Sequence, residues 1–189
     1  MGCCDRKGIM KFTRVHKAIG IIGAIALAVM GIGQTAEASS QTGASASYDG
    51  TTISLASGWG GAAVCAVTES GNYCFASQSA YQNWLTSLVA TMPISSSPDT
   101  NCSSALDLYS GTNYTGSELS LLDEGVWLNL SAYGFSDKTN SYKVGACEVS
   151  MTSAANGGGS VYPGPMTAGT HAPSMDSGWS DRVQSAYIR

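Results

Sequence analysis

Phe135-Ser136-Asp137-Lys138-Thr139-Asn140-Ser141 returns as Trp179-Ser180-Asp181-Arg182-Val183-Gln184-Ser185, an offset of 44 residues. Aromatic meets aromatic, Ser-Asp meets Ser-Asp, Lys meets Arg and Ser meets Ser. A repeat of this period marks two copies of a supersecondary unit, each too small to bury its apolar face alone and so expected to pack on the other. The matched residues are polar or turn-forming, which predicts one constrained loop used twice.

Around these loops the pattern is that of short strands. Leu106 and Leu108 alternate with Asp107 and Tyr109, Leu119 and Leu121 with Glu118 and Ser120, and Val149 and Met151 with Glu148 and Ser150. Period-two stretches separated by Gly, Asn, Ser and Asp clusters predict antiparallel strands of a sandwich. Residues 102–189 are long enough for one small all-β domain. Upstream, residues 94–101 with Ser95-Ser96-Ser97-Pro98-Asp99 read as a linker. Residues 63–93 predict a hairpin around Thr68–Asn72 followed by a short helix. Ser77 or Ser79 is its expected cap, Tyr81, Leu85, Leu88 and Met92, joined by Trp84 and Val89, its apolar stripe, and Pro93 its stop. Residues 39–62, rich in Ser, Thr, Gly and Ala at their start, are expected to be a flexible lead-in.

Residues 1–38 read as a signal peptide. Lys11, Arg14 and Lys17 precede an apolar run from Ala18 to Ile32, and Ala36-Glu37-Ala38 has the small residues of a cleavage site. The run is shorter than the roughly 20 residues that span a bilayer, so the expectation is a secreted, extracellular protein with no membrane association after cleavage. Beyond residue 38 there are 11 acidic and 4 basic side chains, a formal charge of −7. Such a surface repels polyphosphate and argues against nucleic acid as a partner. Four cysteines remain, Cys65, Cys74, Cys102 and Cys147. An even count in an exported chain predicts two disulfides. Three pairings are open, of which Cys65–Cys74 with Cys102–Cys147 is favoured.

Residues 102–189 resemble a βγ-crystallin domain. Leu108-Tyr109-Ser110-Gly111-Thr112-Asn113-Tyr114-Thr115-Gly116 is similar to that family's folded hairpin, Val126-Trp127-Leu128-Asn129-Leu130-Ser131 to the stretch before the last strand of the first motif, and Tyr133 to Ser141 to its calcium loop and buried serine. In the second motif Ala155-Asn156-Gly157-Gly158-Gly159 takes the hairpin position, with Gly157 where the first has Tyr114. The wording around Gly134-Phe135 and Asp137-Lys138-Thr139 is close to secreted bacterial peptidase inhibitors of the I36 type. The resemblance implies an all-β, βγ-crystallin-like double Greek-key β-sandwich, here preceded by a small hairpin-plus-helix segment.

It also implies candidate calcium ligands, Asp137 and Asn140 in one loop and Asp181 and Gln184 in the other. Calcium takes six to eight oxygens, and these side chains together with backbone carbonyls are of the right type. Two features stand against it. The first family slot is Ser136 or Ser180, and the fifth is an amide in place of a hydroxyl. The competing reading has the aspartates bonding within the loops and Ser141 and Ser185 fastening the hairpins.

Catalysis has little support in the sequence. His171 is the only histidine beyond residue 38, no Gly-x-Ser-x-Gly elbow occurs, and the adjacent Asp123-Glu124 pair falls in an expected turn. The expectation is therefore a secreted non-enzymatic binding or structural protein, calcium-stabilised if the loops hold the ion, with an extracellular peptidase or a cell-surface component as partner. Alternatives are an I36-type peptidase inhibitor, presenting Gly157–Gly159 or Val161–Met166 as its loop, and an antimicrobial toxin-like protein.

Overall fold

The computed structural model describes residues 43–91 and 104–189. Strands β1 (Ser45–Tyr48) and β2 (Thr51–Ser54) open it, followed by β3 (Val64–Thr68), β4 (Gly71–Phe75) and helix α1 (Gln78–Thr91). Strands β5 (Leu106–Tyr109), β6 (Glu118–Leu121), β7 (Trp127–Asn129) and β8 (Ser141–Lys143) form the first motif, and β9 (Val149–Thr152), β10 (His171–Ala172) and β11 (Ser185–Ile188) belong to the second.

The two motifs exchange strands. One sheet runs β10-β8-β5-β6, so that β10 of the second motif edges the first. The other runs β7-β11-β9, so that β7 of the first motif edges the second. A bridge from Thr152 to Val161 supplies the counterpart of β6. Each motif thus keeps three strands and lends one, which is the double Greek-key, βγ-crystallin-like sandwich expected. The exchange explains why neither copy is a free unit, since a motif without its lent strand would leave an open sheet edge.

Leu106, Leu108, Leu119, Leu121 and Tyr142 from one sheet face Leu128, Val149, Met151, Ala186 and Ile188 from the other, all buried in one core. The repeated aromatics close its end, with Phe135 and Trp179 at 1% and 6% exposure, as their equivalence requires. Burying a side chain of that size contributes about 1.5–3 kcal/mol.

One expectation about the N-terminal part needs correction. Residues 43–62 are not a flexible lead-in. β1 and β2 pair as a hairpin through Asp49-Gly50, both at positive φ (48° and 72°), the backbone that Asp-Gly supplies in a two-residue turn. β1 then pairs in parallel with β4, Leu55 is fully buried, and Trp59 stacks on Phe135 at 5.6 Å while its indole N–H donates to Tyr133 O. The few apolar residues here bury against the other chain segments, so the stretch is ordered despite its composition. The hairpin and short helix expected over 63–93 are present as β3, β4 and α1, and the hairpin joins the first sheet. β3 pairs in parallel with β6 and extends the first sheet to eight strands, β10-β8-β5-β6-β3-β4-β1-β2. Val64, Cys65, Ala66 and Val67 are all buried because this strand is covered on both faces. On its outer side Val64 and Ala66 meet Tyr81, with Trp84 and Leu85 packed alongside, so the stripe of α1 covers the hairpin as its spacing predicts. Ser77 caps the helix, its Oγ accepting from Ala80 N at 3.2 Å. Met92, Pro93 and the linker at 94–101 lie outside the described residues.

Cys65 and Cys74 face each other in the β3–β4 register and are disulfide-bonded. Cys147 is also disulfide-bonded. Its expected partner Cys102 lies outside the described residues, as do residues 1–38, expected to be a signal peptide.

Candidate functional site

The repeated loops meet across the two-fold relation between the motifs. Asp137 N donates to Val183 O, and Asp181 N donates to Thr139 O, at 3.0 and 3.1 Å. Both aspartates have φ of 54°, a left-handed conformation that Asp tolerates better than bulkier residues. This turn aims each carboxylate at the opposite loop. Asn140 Nδ2 donates to Asp181 Oδ1 at 2.7 Å, and Gln184 Nε2 donates to the Asp137 carboxylate oxygens at 3.2 and 3.3 Å. All four candidate ligands are therefore brought together, in two reciprocal amide–carboxylate pairs.

The cations beside the aspartates turn away. Lys138 Nζ donates to Gly134 O at 2.6 Å, and Arg182 reaches Gly178 O at 3.4 Å while lying 4.9 Å over the Trp179 ring. Asn140 Nδ2 is also within reach of Ser110 O and Lys138 O, at 3.0 and 3.4 Å. Each half of the pair so combines a carboxylate and an amide, with backbone carbonyls beside Asn140. Among the described residues no three acidic, histidine or cysteine side chains converge as a metal cluster.

The hairpins beneath the loops are held alike. Gly111 N donates to Thr115 O in the first and Ala154 N to Gly158 O in the second, and Asn113 and Asn156 share φ of 54°. Ser117 N donates to Ser110 Oγ, and Ser160 N to Ser153 Oγ. The second hairpin is folded despite lacking the aromatic. Gly157 leaves room for Trp127, whose ring would lie 2.5 Å from a Cβ at that position. An indole from the lent strand thus fills space on the hairpin where a side chain at 157 would stand.

Within Gly157–Gly159, Gly157 is accordingly packed beneath Trp127, while Gly159 is exposed. In Val161–Met166, Tyr162 and Met166 are buried and Val161 is 62% exposed. Tyr162 fills the core between Tyr142 and Trp179, so this segment is anchored at both ends.

A polar cluster that sequence reasoning missed lies on the outer face of the first sheet, under α1. Tyr81 of α1 hydrogen-bonds the Ser120 hydroxyl, which donates to Asp107 Oδ1 at 2.8 Å. Gln78 Nε2 lies 3.5 Å from Glu118 Oε1. Burial pushes the Asp107 carboxyl up to about 6, against the Ser120 hydrogen bond and the Lys143 charge. Glu118 is 4% exposed, and burial together with the Asp107 charge pushes it up to about 7. Alternation with Leu119 marks Glu118 as outward-facing, but only α1 makes the outer face an interior.

His171 lies on exposed β10 with its ring edge-on to Tyr114. Among the described residues no helix is long and apolar enough to cross a membrane.

No protein-family model matches the chain, and no curated protein does. Among solved structures, a βγ-crystallin from Ciona intestinalis is 19% identical, with a TM-score of 0.39, covering 45% of this chain and 99% of that one. A βγ-crystallin domain from Clostridium beijerinckii is 25% identical, with a TM-score of 0.37 over 44% of this chain and 95% of that one. One from Flavobacterium johnsoniae is 20% identical, with a TM-score of 0.35 over 44% and 92%. Each covers under half of this chain, and the strand exchange and duplicated hairpins described above are what make the fold βγ-crystallin-like.

Proposed function

We propose that this protein is an exported, non-enzymatic structural or binding module in which the crossed loops act as a clasp between the two motifs. The observation that carries this reading is the reciprocal pairing of Asn140 with Asp181 and of Gln184 with Asp137. Amide N–H donors hydrogen-bond each carboxylate, so the clasp closes without an ion. Hydrogen bonds to charged groups contribute about 1.5–3 kcal/mol each when sheltered, and less at exposed positions such as these. Export is supported by the leader-like composition of residues 1–38 and by the disulfide between Cys65 and Cys74.

Calcium is the second reading, favoured by the withdrawal of Lys138 and Arg182 and by the Ser110 and Lys138 carbonyls beside Asn140. Turning either amide over would present its oxygen in place of its N–H, giving each loop pair a carboxylate oxygen and an amide oxygen for the ion. Calorimetry with calcium, with magnesium and after chelation separates the two. A clasp closed by amides melts at one temperature in all three. A calcium site raises the melting temperature as free calcium rises, magnesium does less because it demands tighter octahedral geometry, and Asp137→Ala and Asp181→Ala abolish the effect.

A further inference from the structure

The two sheets present different outer faces. On the first, the row across the lent strand reads His171, Lys143, Asp107 in register, and α1 packs alongside it. The matching row of the second sheet reads Trp127, Tyr187, Ser150; α1 packs on the first sheet and not here, while the Ala155–Gly157 turn abuts Trp127 from one side. Two large, half-buried aromatics therefore occupy outward positions where the related motif has a histidine and a lysine. The indole and phenol rings lie 5.3 Å apart, tilted by 47°. With Ser150 and Arg189 they line a shallow depression of about 310 Å³.

We propose that this depression binds an uncharged oligosaccharide. The rings are held in place before any ligand arrives: Trp127 is backed by Gly157, where even a Cβ would collide with it, and Tyr187 is fixed in the middle strand by pairing on both sides. Preorganisation of this kind lowers the entropy lost on binding. An aromatic face is the negative end of a quadrupole and attracts the weakly positive C–H bonds on one side of a pyranose. The indole N–H and the phenol hydroxyl have no hydrogen-bond partner among the described residues, so both remain available to sugar hydroxyls. At the end of the row Arg189 pairs with Glu148 at 3.6 Å, both well exposed. That rim offers donors and acceptors in balanced charge, which matches a neutral polyol. The excess of acidic residues over the chain beyond residue 38 further disfavours a polyanionic glycan. The depression shares no residue with the crossed loops, so a calcium result bears on the clasp alone.

Isothermal titration and affinity electrophoresis of the full exported chain, using cellohexaose, xylohexaose and chitohexaose as neutral probes and oligogalacturonate as the charged one, test the proposal. At least one neutral probe should bind, with affinity falling tenfold or more in both Trp127→Ala and Tyr187→Ala and retained in Tyr187→Phe. Because Trp127→Ala also opens space over the hairpin, melting curves accompany each variant, and Tyr187→Ala alone decides if Trp127→Ala does not fold. Absence of binding to all three neutral probes overturns the proposal. So does binding to oligogalacturonate alone, or binding undiminished in Tyr187→Ala.

Discussion

Ser141 and Ser185 make the same two hydrogen bonds, 44 residues apart. The Ser141 hydroxyl donates to Gly111 O at 2.6 Å and accepts from Tyr114 N at 3.0 Å. The Ser185 hydroxyl donates to Ala154 O at 2.7 Å and accepts from Gly157 N at 3.0 Å. Both serines are fully buried on the sheet face opposite the core residues Tyr142 and Ala186, so each pins a hairpin over the outer side of the last strand of its own motif.

Replacing either serine by alanine leaves a backbone N–H and a carbonyl without these partners. Each substitution should cost about 1–3 kcal/mol, read from urea denaturation midpoints. Ser185→Ala should cost more, since Ser185 also bonds the Thr152 hydroxyl at 2.7 Å. Equal stability of both variants and the parent would remove the serines from the account of hairpin folding.

Thr139 occupies the position equivalent to Val183, and both are fully buried. The Thr139 hydroxyl oxygen has no hydrogen-bond partner among the described residues. Thr139→Val reproduces the other loop with nearly the same volume and removes the cost of an unmet hydroxyl, about 1–3 kcal/mol. The variant should therefore be more stable by about that amount in equilibrium unfolding, and a loss of stability would refute the reasoning.

Asp107 and Glu118 predict an acid-stabilised structure near neutrality. Their carboxyls titrate at about 6 and about 7 in the folded chain, above the ordinary values of an unfolded chain. Folding then favours the protonated forms: their contribution is complete below the unfolded values and is lost as pH rises through 6 and 7. The facing groups are Tyr81 on α1, Tyr109 on β5 and Lys143 on β8, and burial holds both tyrosine hydroxyls protonated well above this range. The urea midpoint should fall between pH 5 and pH 8, and Asp107→Asn with Glu118→Gln should flatten that fall. A midpoint that rises with pH, or a fall of equal size in the double variant, contradicts the assignment.

Much of the fold was legible because it is written locally. The 44-residue repeat, the alternation around Leu106, Leu119 and Met151, and the helical stripe through Tyr81 and Leu85 all depend on the period of one element. The first hairpin could be matched through Tyr114 and Gly116, and the disulfide of Cys65 with Cys74 follows from a short loop between two strands. The Asp49-Gly50 turn was equally local, yet the Ser and Thr around it hid the flanking strands because these bury almost nothing themselves.

What the chain determined by itself was the duplicated motif and the four loop residues Asp137, Asn140, Asp181 and Gln184. Their partners were decided by the tertiary structure, because reciprocal pairing exists only once the two-fold relation sets one loop against the other. The same holds for the parallel pairing of β3 with β6, which no local period encodes. It holds for Glu118 as well, whose outward position becomes a buried one only when α1 folds over the sheet. Trp127 makes the point most sharply: its strand is lent to the second motif, so the reason for Gly157 lies some thirty residues away in sequence, in a ring that would stand 2.5 Å from any Cβ placed there.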